Sequence, residues 1–232
     1  MGAFEEGFKE ACEEFVKSNP QSKISCDTFW KMFTSAFVRK NPSKITPADY
    51  DNMLNAVPVI TPQNKLLLYS GTDSDLLEFV LKDKTYVDVG RTIYGILDGI
   101  GLWCGKENSD AVLTDDCPEN PYNMYWTAVS AGLAKKALGI VTVLLDGTLG
   151  YRSESTLAKD EVPNLDEKVT GLRVLMVNKD GVNGKNCGHE SLKKLQDDIK
   201  LVHNIPYECR YILSTVLGTK SPADWWNVAQ SG

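Results

Sequence analysis

Four short apolar runs, each followed by polar or turn-forming residues, set the tightest limit on how this chain can fold. They span residues 64–70, 139–145, 172–177 and 209–213. The second run, GIVTVLL, stops at an Asp-Gly turn signal, as expected of a strand that is buried on both faces. Because strands alternate with helices from this run onward, the pattern predicts a small parallel α/β sheet.

The rest of the chain shows helical spacing of its apolar residues. The pattern covers residues 3–57 and predicts further helices over 76–81, 92–103, 122–138 and 190–203. Three glycines within 92–103 predict that this helix is irregular, because glycine has a low helix propensity.

Together these patterns predict an α/β fold in two parts. A mainly helical N-terminal part, residues 1–64 and 72–137, packs on a C-terminal part with a small parallel sheet flanked by helices, residues 65–71 and 138–232. We expect an active-site cleft between them. Ligands of parallel sheets bind beyond the carboxyl ends of the strands, so the residues that end the predicted strands are candidates for binding.

Charge and composition exclude several classes of protein. The chain has 25 Lys and Arg against 31 Asp and Glu, a net charge of −6, and no basic run longer than two residues. Nucleic-acid binding is therefore not expected, because it needs a basic face. No apolar stretch approaches the ~20 residues of a membrane helix, so no transmembrane segment is expected. The Glu-rich, amphipathic start lacks the features of a secretion signal, so a secreted form would already have lost its signal.

The six cysteines argue for disulfides rather than for a metal site. They fall into three neighbouring pairs: Cys12 with Cys26, Cys104 with Cys117, and Cys187 with Cys209. Cys-x-x-Cys spacing is absent and the chain has two histidines, so we expect no zinc or other metal. The even count suggests local disulfides and an oxidising compartment. The alternative is a cytosolic protein with six buried thiols.

No widely shared catalytic motif occurs, but five blocks appear in a recognisable order. They are NKLLLYSG at 64–71, RTIYGILDGIGLWCG at 91–105, NPYNMYWTAVS at 120–130, VTVLLDGT at 141–148 and EVPNLDEKVTGLRVLMV at 161–177. In this order and at these separations the blocks resemble the ADP-ribosyl cyclase / NAD glycohydrolase family. The resemblance covers most of the chain, from the first cysteine pair to Cys209.

The resemblance implies an activity and a location. Members of this family cleave the nicotinamide–ribose bond of NAD and release ADP-ribose, cyclic ADP-ribose or both. NAD or a related nucleotide is then the substrate, and no metal or organic cofactor is implied. A secreted, extracellular or luminal protein is expected, and the resemblance also allows a homodimer.

The cysteines depart from the family in a consistent way. Family members usually carry five or more disulfides, two of which join distant parts of the chain. Here Ser43, Gln63 and Leu138 stand where the resemblance places cysteines of those long-range links. Only the three local disulfides are therefore expected. Loss of both partners of a link is consistent with a disulfide framework, because a single remaining thiol would be reactive.

The resemblance also assigns site residues. The catalytic glutamate of the family matches Glu161, and its second active-site tryptophan matches Trp126. Ser130 follows one helical turn after Trp126, and Thr156 matches a threonine used around the ribose and the phosphates. Without the resemblance, Trp126 would be interpreted as a core residue and Glu161 as surface charge.

Two expected side chains are altered. The first active-site tryptophan is replaced by Tyr69, which precedes the candidate binding residue Ser70. The acidic TLEDT motif becomes DVGRT, so that Gly90 and Arg91 replace a glutamate and an aspartate. Arg91 is either a phosphate contact or a solvated residue at the start of a helix.

Physical chemistry indicates which of these changes matters for cleavage. Nicotinamide leaves as a neutral molecule, so no general acid is needed, and one carboxylate can stabilise the oxocarbenium-like ribose. Glu161 suffices for that role, while Tyr69 and Trp126 stack on the base. The substitution at Gly90 favours an alternative, a nucleotide-binding pseudoenzyme. A nucleosidase for another N-ribosyl substrate is the third possibility.

Overall fold

The computed structural model divides the chain into two compact units. One contains Met1–Val59 and Val89–Gly132, and the other contains Ile60–Asp88 and Leu133–Gly232. The described residues are 2–71, 85–179, 184, 186–202, 205–217, 219–221 and 223–231. The helix predicted over 76–81 lies outside them.

Helices and strands of the described residues follow in chain order. The helices are α1 (Ala3–Ser18), α2 (Cys26–Ser35), α3 (Asp51–Ala56), α4 (Asn120–Ala134), α5 (Glu190–Val202), α6 (Ser214–Leu217) and α7 (Trp225–Val228). The strands are β1 (Leu67–Ser70), β2 (Cys104–Lys106), β3 (Ser109–Leu113), β4 (Gly139–Asp146), β5 (Val169–Asn178), β6 (Tyr207–Leu213) and β7 (Gln230–Ser231).

Aromatic side chains form the core of the first unit. Phe33 on α2 lies at its centre, with ring centroids 5.5 Å from Phe8, 5.3 Å from Trp103 and 5.8 Å from Tyr125. All four side chains are fully buried. Rings with edge-to-face contacts contribute about 0.5–1.5 kcal/mol each beyond the area that they bury. The helical spacing of the sequence therefore corresponds to one aromatic cluster.

The tyrosines of this core carry hydroxyl groups that need partners. Tyr50 donates to the Pro121 carbonyl at 2.8 Å, and Tyr94 donates to the Val57 carbonyl at 2.6 Å. Tyr125 donates to the carbonyl of Tyr94 at 2.8 Å. A buried hydroxyl without an acceptor is costly, so these bonds fix α4 and its neighbours in one arrangement.

The prediction of a helix over 92–103 is wrong for the second half of that range. The structure has a 3₁₀-helix over Ile93–Leu97. Gly99 and Gly101 then adopt positive φ angles of 77° and 96°, which a helix does not allow. The chain continues into an antiparallel hairpin of β2 and β3 that the sequence does not reveal.

A five-stranded sheet organises the second unit. Its order is β1-β4-β5-β6-β7, and the first four strands are parallel while β7 runs antiparallel to β6. The predicted α/β class and its small parallel sheet are confirmed. Strand β7 was not predicted, because a strand of two residues leaves no recognisable pattern in the sequence.

Three disulfides are present, with the partners that the sequence predicts. They join Cys12 to Cys26, Cys104 to Cys117, and Cys187 to Cys209. The alternative of six free thiols is therefore wrong. Each bond closes a short loop, and a loop of about 15 residues corresponds to roughly 3 kcal/mol of stabilisation in the chain-entropy account.

Hydrogen bonds join the segments where Gln63 and Leu138 replace expected cysteines. Asn64 donates its backbone N–H to the Leu138 carbonyl at 2.9 Å, and its side-chain oxygen accepts the Ile140 N–H at 2.6 Å. The side chain occupies the space beside Gly139, where a Cβ would lie 2.2 Å from Asn64 Oδ1. The start of β4 is thus attached to the segment before β1 without a covalent link.

This attachment gives a first prediction. Asn64 has a φ of 61°, so Asn64→Gly preserves the backbone conformation and removes only the acceptor for Ile140. We expect the free energy of unfolding in urea to fall by about 1 kcal/mol. Asn108→Gly is the matched control, because the exposed Asn108 has a φ of 60°. Equal effects of the two variants would show that the bond to Ile140 contributes nothing.

Candidate functional site

Tyr69 and Ser70 end strand β1 and lie at the carboxyl edge of the sheet. They pair in register with Leu144 and Leu145 of β4. Ser70 is 5% exposed, and its Oγ has no hydrogen-bond partner among the described residues. Tyr69 is half-buried against the core of this unit. Both residues therefore occupy the edge at which parallel sheets bind ligands.

Glu161 ends a single turn of π-helix, Leu157–Glu161, which we call the π turn. The N–H of Val162 bonds to the Leu157 carbonyl five residues earlier, which defines the wider turn. Glu161 is only 7% exposed, although the polar Lys159 and Asp160 directly precede it. Carboxylates are rarely buried to this extent, and π turns recur at functional sites.

Further contacts hold the π turn in place. The side-chain amide of Asn164 donates to the Asp160 carbonyl at 2.7 Å. Strand β1 packs against the π turn within the same unit. The structure therefore brings the strand that ends in Tyr69 and Ser70 against the turn that ends in Glu161. Thr156, which directly precedes this turn, is exposed.

Trp126 and Ser130 lie on α4 in the first unit, one turn apart on the same face. The Trp126 ring is 5.2 Å from Tyr125 at an interplanar angle of 82°, and 6.0 Å from Tyr122 at 67°. Trp126 is half-buried, whereas Ser130 is 4% exposed. The two edge-to-face contacts fix the plane of the indole.

The segment that replaces the acidic motif forms a 3₁₀ turn over Val89–Arg91. Gly90 is exposed and Arg91 is half-buried. Thr92 is 4% exposed; its hydroxyl donates to the Val89 carbonyl at 2.7 Å and accepts the Tyr94 N–H at 3.3 Å. Thr92 therefore has a capping role.

Two polar residues that sequence reasoning missed are distinguished by burial. Asp88 is 1% exposed, and Arg152 has a buried guanidinium nitrogen. Asp88 begins the DVGRT segment but received no role from the sequence, and Arg152 lies outside the five blocks, so only the packing of the chain distinguishes them.

Asp146 ends strand β4 and caps the loop that follows. One of its carboxylate oxygens accepts the Thr148 N–H at 2.6 Å, the Leu149 N–H at 3.1 Å and the hydroxyl of Thr148. Burial acts to raise the pKa of Asp146, but the hydrogen bonds from Thr148 and Leu149 outweigh it and lower the pKa.

The described part of the chain offers neither a cluster of metal ligands nor a membrane-spanning helix. Its His, Cys, Asp and Glu residues form no group of three that could hold a metal ion. None of its helices combines the length and apolar character needed to cross a bilayer.

Comparisons with known proteins agree on one family. A sequence profile described as ADP-ribosyl cyclase matches residues 2–219. The chain is 28% identical over 201 residues to the ADP-ribosyl cyclase/cyclic ADP-ribose hydrolase of Aplysia californica, covering 82% of this chain and 71% of that protein. It is 26% identical over 206 residues to human ADP-ribosyl cyclase/cyclic ADP-ribose hydrolase 2, covering 83% and 64%.

Solved structures show the same fold. A CD38 structure that concerns a covalent enzyme–substrate complex has a TM-score of 0.82 at 26% identity, covering 94% of each chain. Aplysia cyclase in complex with substrate NGD and product cGDPR has a TM-score of 0.79 at 26% identity, covering 91% of this chain and 89% of that one.

The capping role of Asp146 gives a prediction about pH. Its pKa is lowered in the folded protein, so it stabilises the fold above its ordinary value near 3.8 and loses this effect as the pH falls. Asp146→Asn keeps the acceptor but cannot ionise. We expect wild type to be more stable than this variant in urea at neutral pH, with the difference vanishing between roughly pH 5 and pH 2.

The control for this experiment is Asp115→Asn, at an exposed carboxylate. A pH dependence of the same size in both variants would be a general effect of losing a carboxylate and not of the cap at Asp146. A constant difference between wild type and Asp146→Asn would contradict the assignment.

Proposed function

Because this chain belongs to the ADP-ribosyl cyclase family, we propose that it cleaves the nicotinamide–ribose bond of NAD and releases ADP-ribose, cyclic ADP-ribose or both. The observation that carries the proposal is Glu161, a buried carboxylate on a π turn against which β1 packs. The names of the relatives support the reaction, and the Aplysia cyclase complex with NGD supports a nucleotide substrate. NAD is then substrate, with no separate cofactor.

The chemistry needs little more than one carboxylate. The bond between ribose C1′ and the pyridinium nitrogen breaks, and its electron pair leaves with neutral nicotinamide. Positive charge develops on the ribose, and the carboxylate of Glu161 stabilises it while accepting hydrogen bonds from the hydroxyls. Burial strengthens this interaction, because the effective dielectric constant is lower away from water. Water then attacks C1′ with loss of a proton, or an adenine nitrogen closes the cyclic product.

The other candidates bind the substrate. Trp126 and Tyr69 stack on the nicotinamide and attract its positive charge, a contact of about 0.5–2 kcal/mol. Ser70, Ser130 and Thr156 bind ribose or phosphate through their hydroxyls. The buried Oγ of Ser70, which lacks a partner among the described residues, supports this role.

The replaced acidic motif bears on product choice more than on cleavage. Gly90 offers no side chain to the nicotinamide amide or to the cation, so the ratio of cyclic to hydrolysed product is expected to differ from that of relatives with the acid. The same substitution favours a second candidate function, nucleotide binding without efficient turnover. Turnover of a different N-ribosyl substrate would indicate a nucleosidase.

The disulfides support an oxidising compartment. Disulfide bonds persist in oxidising environments, so we propose that the protein acts outside the cell or in a luminal space. A homodimer stays a prediction of the family resemblance.

The primary test is NAD consumption by Glu161→Gln. This substitution preserves the shape of the side chain and removes its charge, so we expect nicotinamide release to fall by at least about 100-fold. Products separated by chromatography give the ratio of cyclase to hydrolase activity. Glu167→Gln, at an exposed glutamate in the same unit, should retain full activity. If wild type binds NAD without consuming it, the protein does not catalyse this cleavage, and nucleotide binding without turnover is its function.

A second test concerns the stacking role of Tyr69. Tryptophan attracts a cation more strongly than tyrosine, so we expect Tyr69→Trp to lower KM for NAD by roughly two- to five-fold. Tyr86→Trp is the matched control, because Tyr86 is also half-buried in this unit and stacks on Trp225 at 6.4 Å. Equal KM changes in the two variants would argue against a stacking role for Tyr69.

A further inference from the structure

Arg152 contains a buried donor that has no acceptor among the residues that the structure describes. The side chain is half-buried, and its Nε lacks a hydrogen-bond partner among the described residues. A guanidinium group keeps its charge and presents five donors in a fixed plane. Leaving such a donor buried without an acceptor is costly, and an anionic ligand would supply the missing acceptor.

Nearby carboxylates are engaged elsewhere. Glu154 accepts a hydrogen bond from the hydroxyl of Ser153 at 3.3 Å. Asp198 accepts from Tyr151 at 2.9 Å and from Lys194 at 3.0 Å. Within the described ranges, Arg152 forms no ion pair with an acidic side chain. Within this part of the chain, its charge is therefore unpaired and could be met by a ligand.

The backbone around Arg152 is held from both sides. The N–H of Tyr151 donates to the Ser191 hydroxyl at 3.3 Å, and Tyr151 is itself 4% exposed. The carbonyl of Arg152 accepts the Ser155 hydroxyl at 2.7 Å and the Ser155 N–H at 3.2 Å. A side chain whose backbone is already held in place loses less conformational entropy when it binds a ligand.

The same turn leads directly into the candidate site. The carbonyl of Ser155 accepts the N–H groups of Ala158 and Lys159, both at 3.0 Å, so the turn at 152–155 continues into the π turn. Arg152 is thus connected through one hydrogen-bonded segment to Thr156 and Glu161. All of these residues belong to the second unit.

We propose that Arg152 binds a phosphate group of the nucleotide and sets the preference for phosphate-bearing ligands over nucleosides. The assignment of a nucleotide rests on the proposed function. Arginine suits this role because its planar donors match two phosphate oxygens at once. Arg152 is then a specificity-determining residue that neither the family blocks nor the comparisons single out.

The test measures binding, so it does not depend on turnover. Isothermal titration with ADP and with adenosine compares ligands that differ only in the diphosphate. We expect Arg152→Gln to weaken ADP binding by roughly 10- to 100-fold, the effect of a lost charge-assisted bond, and to leave adenosine binding unchanged. Arg152→Lys should recover part of the ADP affinity. Arg39→Gln is the control, because exposed Arg39 pairs with Asp110 in the other unit.

Three outcomes overturn the proposal. They are unchanged ADP affinity in Arg152→Gln, an equal loss of ADP and adenosine binding, and no ADP binding by wild type. Urea unfolding shows whether Arg152→Gln is folded. If it is not, the ratio of ADP to adenosine affinity in Arg152→Lys tests the proposal in its place. A protein that binds ADP through Arg152 but does not consume NAD would disprove the proposed reaction and leave this assignment intact.

Discussion

The parallel pairing of β1 with β4 determines which residues stand at the carboxyl edge of the sheet in the second unit. Leu67 to Ser70 pair with Thr142 to Leu145, although more than 70 positions separate the two strands in the sequence. Asn64 attaches the start of β4 to the segment before β1 through two hydrogen bonds. A shift of register by one residue would turn Tyr69 and Ser70 to the opposite faces of the sheet. The position of both candidates therefore depends on this pairing.

A different constraint acts in the first unit. Three buried tyrosines donate to backbone carbonyls, and their rings pack in the aromatic cluster around Phe33. This combination of packing and hydrogen bonding leaves α4 with one orientation, because a shift of the helix would leave buried hydroxyl groups without acceptors. Trp126 and Ser130 are presented by that helix. Their positions are thus a consequence of how the aromatic core of the first unit packs.

Strong local patterns explain how much of the fold could be predicted. The runs at β4 and β5 are long and apolar, and the helical spacing at α1 and α2 is regular, so these elements were predicted. The helix over 92–103 failed because Gly99 and Gly101 adopt positive φ angles that no apolar pattern reports. In the hairpin, β2 has only three residues and β3 is largely exposed, so neither strand leaves a periodic signal in the sequence. The ordered blocks indicated Glu161, but its burial was not predictable from the local sequence, in which Lys159 and Asp160 directly precede it.

The amino-acid sequence by itself determined the α/β class, the strands of the parallel sheet, the three disulfide pairs and the residues that match the ADP-ribosyl cyclase family. These properties depend on local periodicity, on cysteine count and on the order of short blocks. Only the tertiary structure decided that Glu161 is buried on a π turn, that β1 packs against that turn, and that Arg152 has a buried donor without a described partner. Burial and the availability of acceptors depend on segments that are distant in sequence, so no local pattern can encode them.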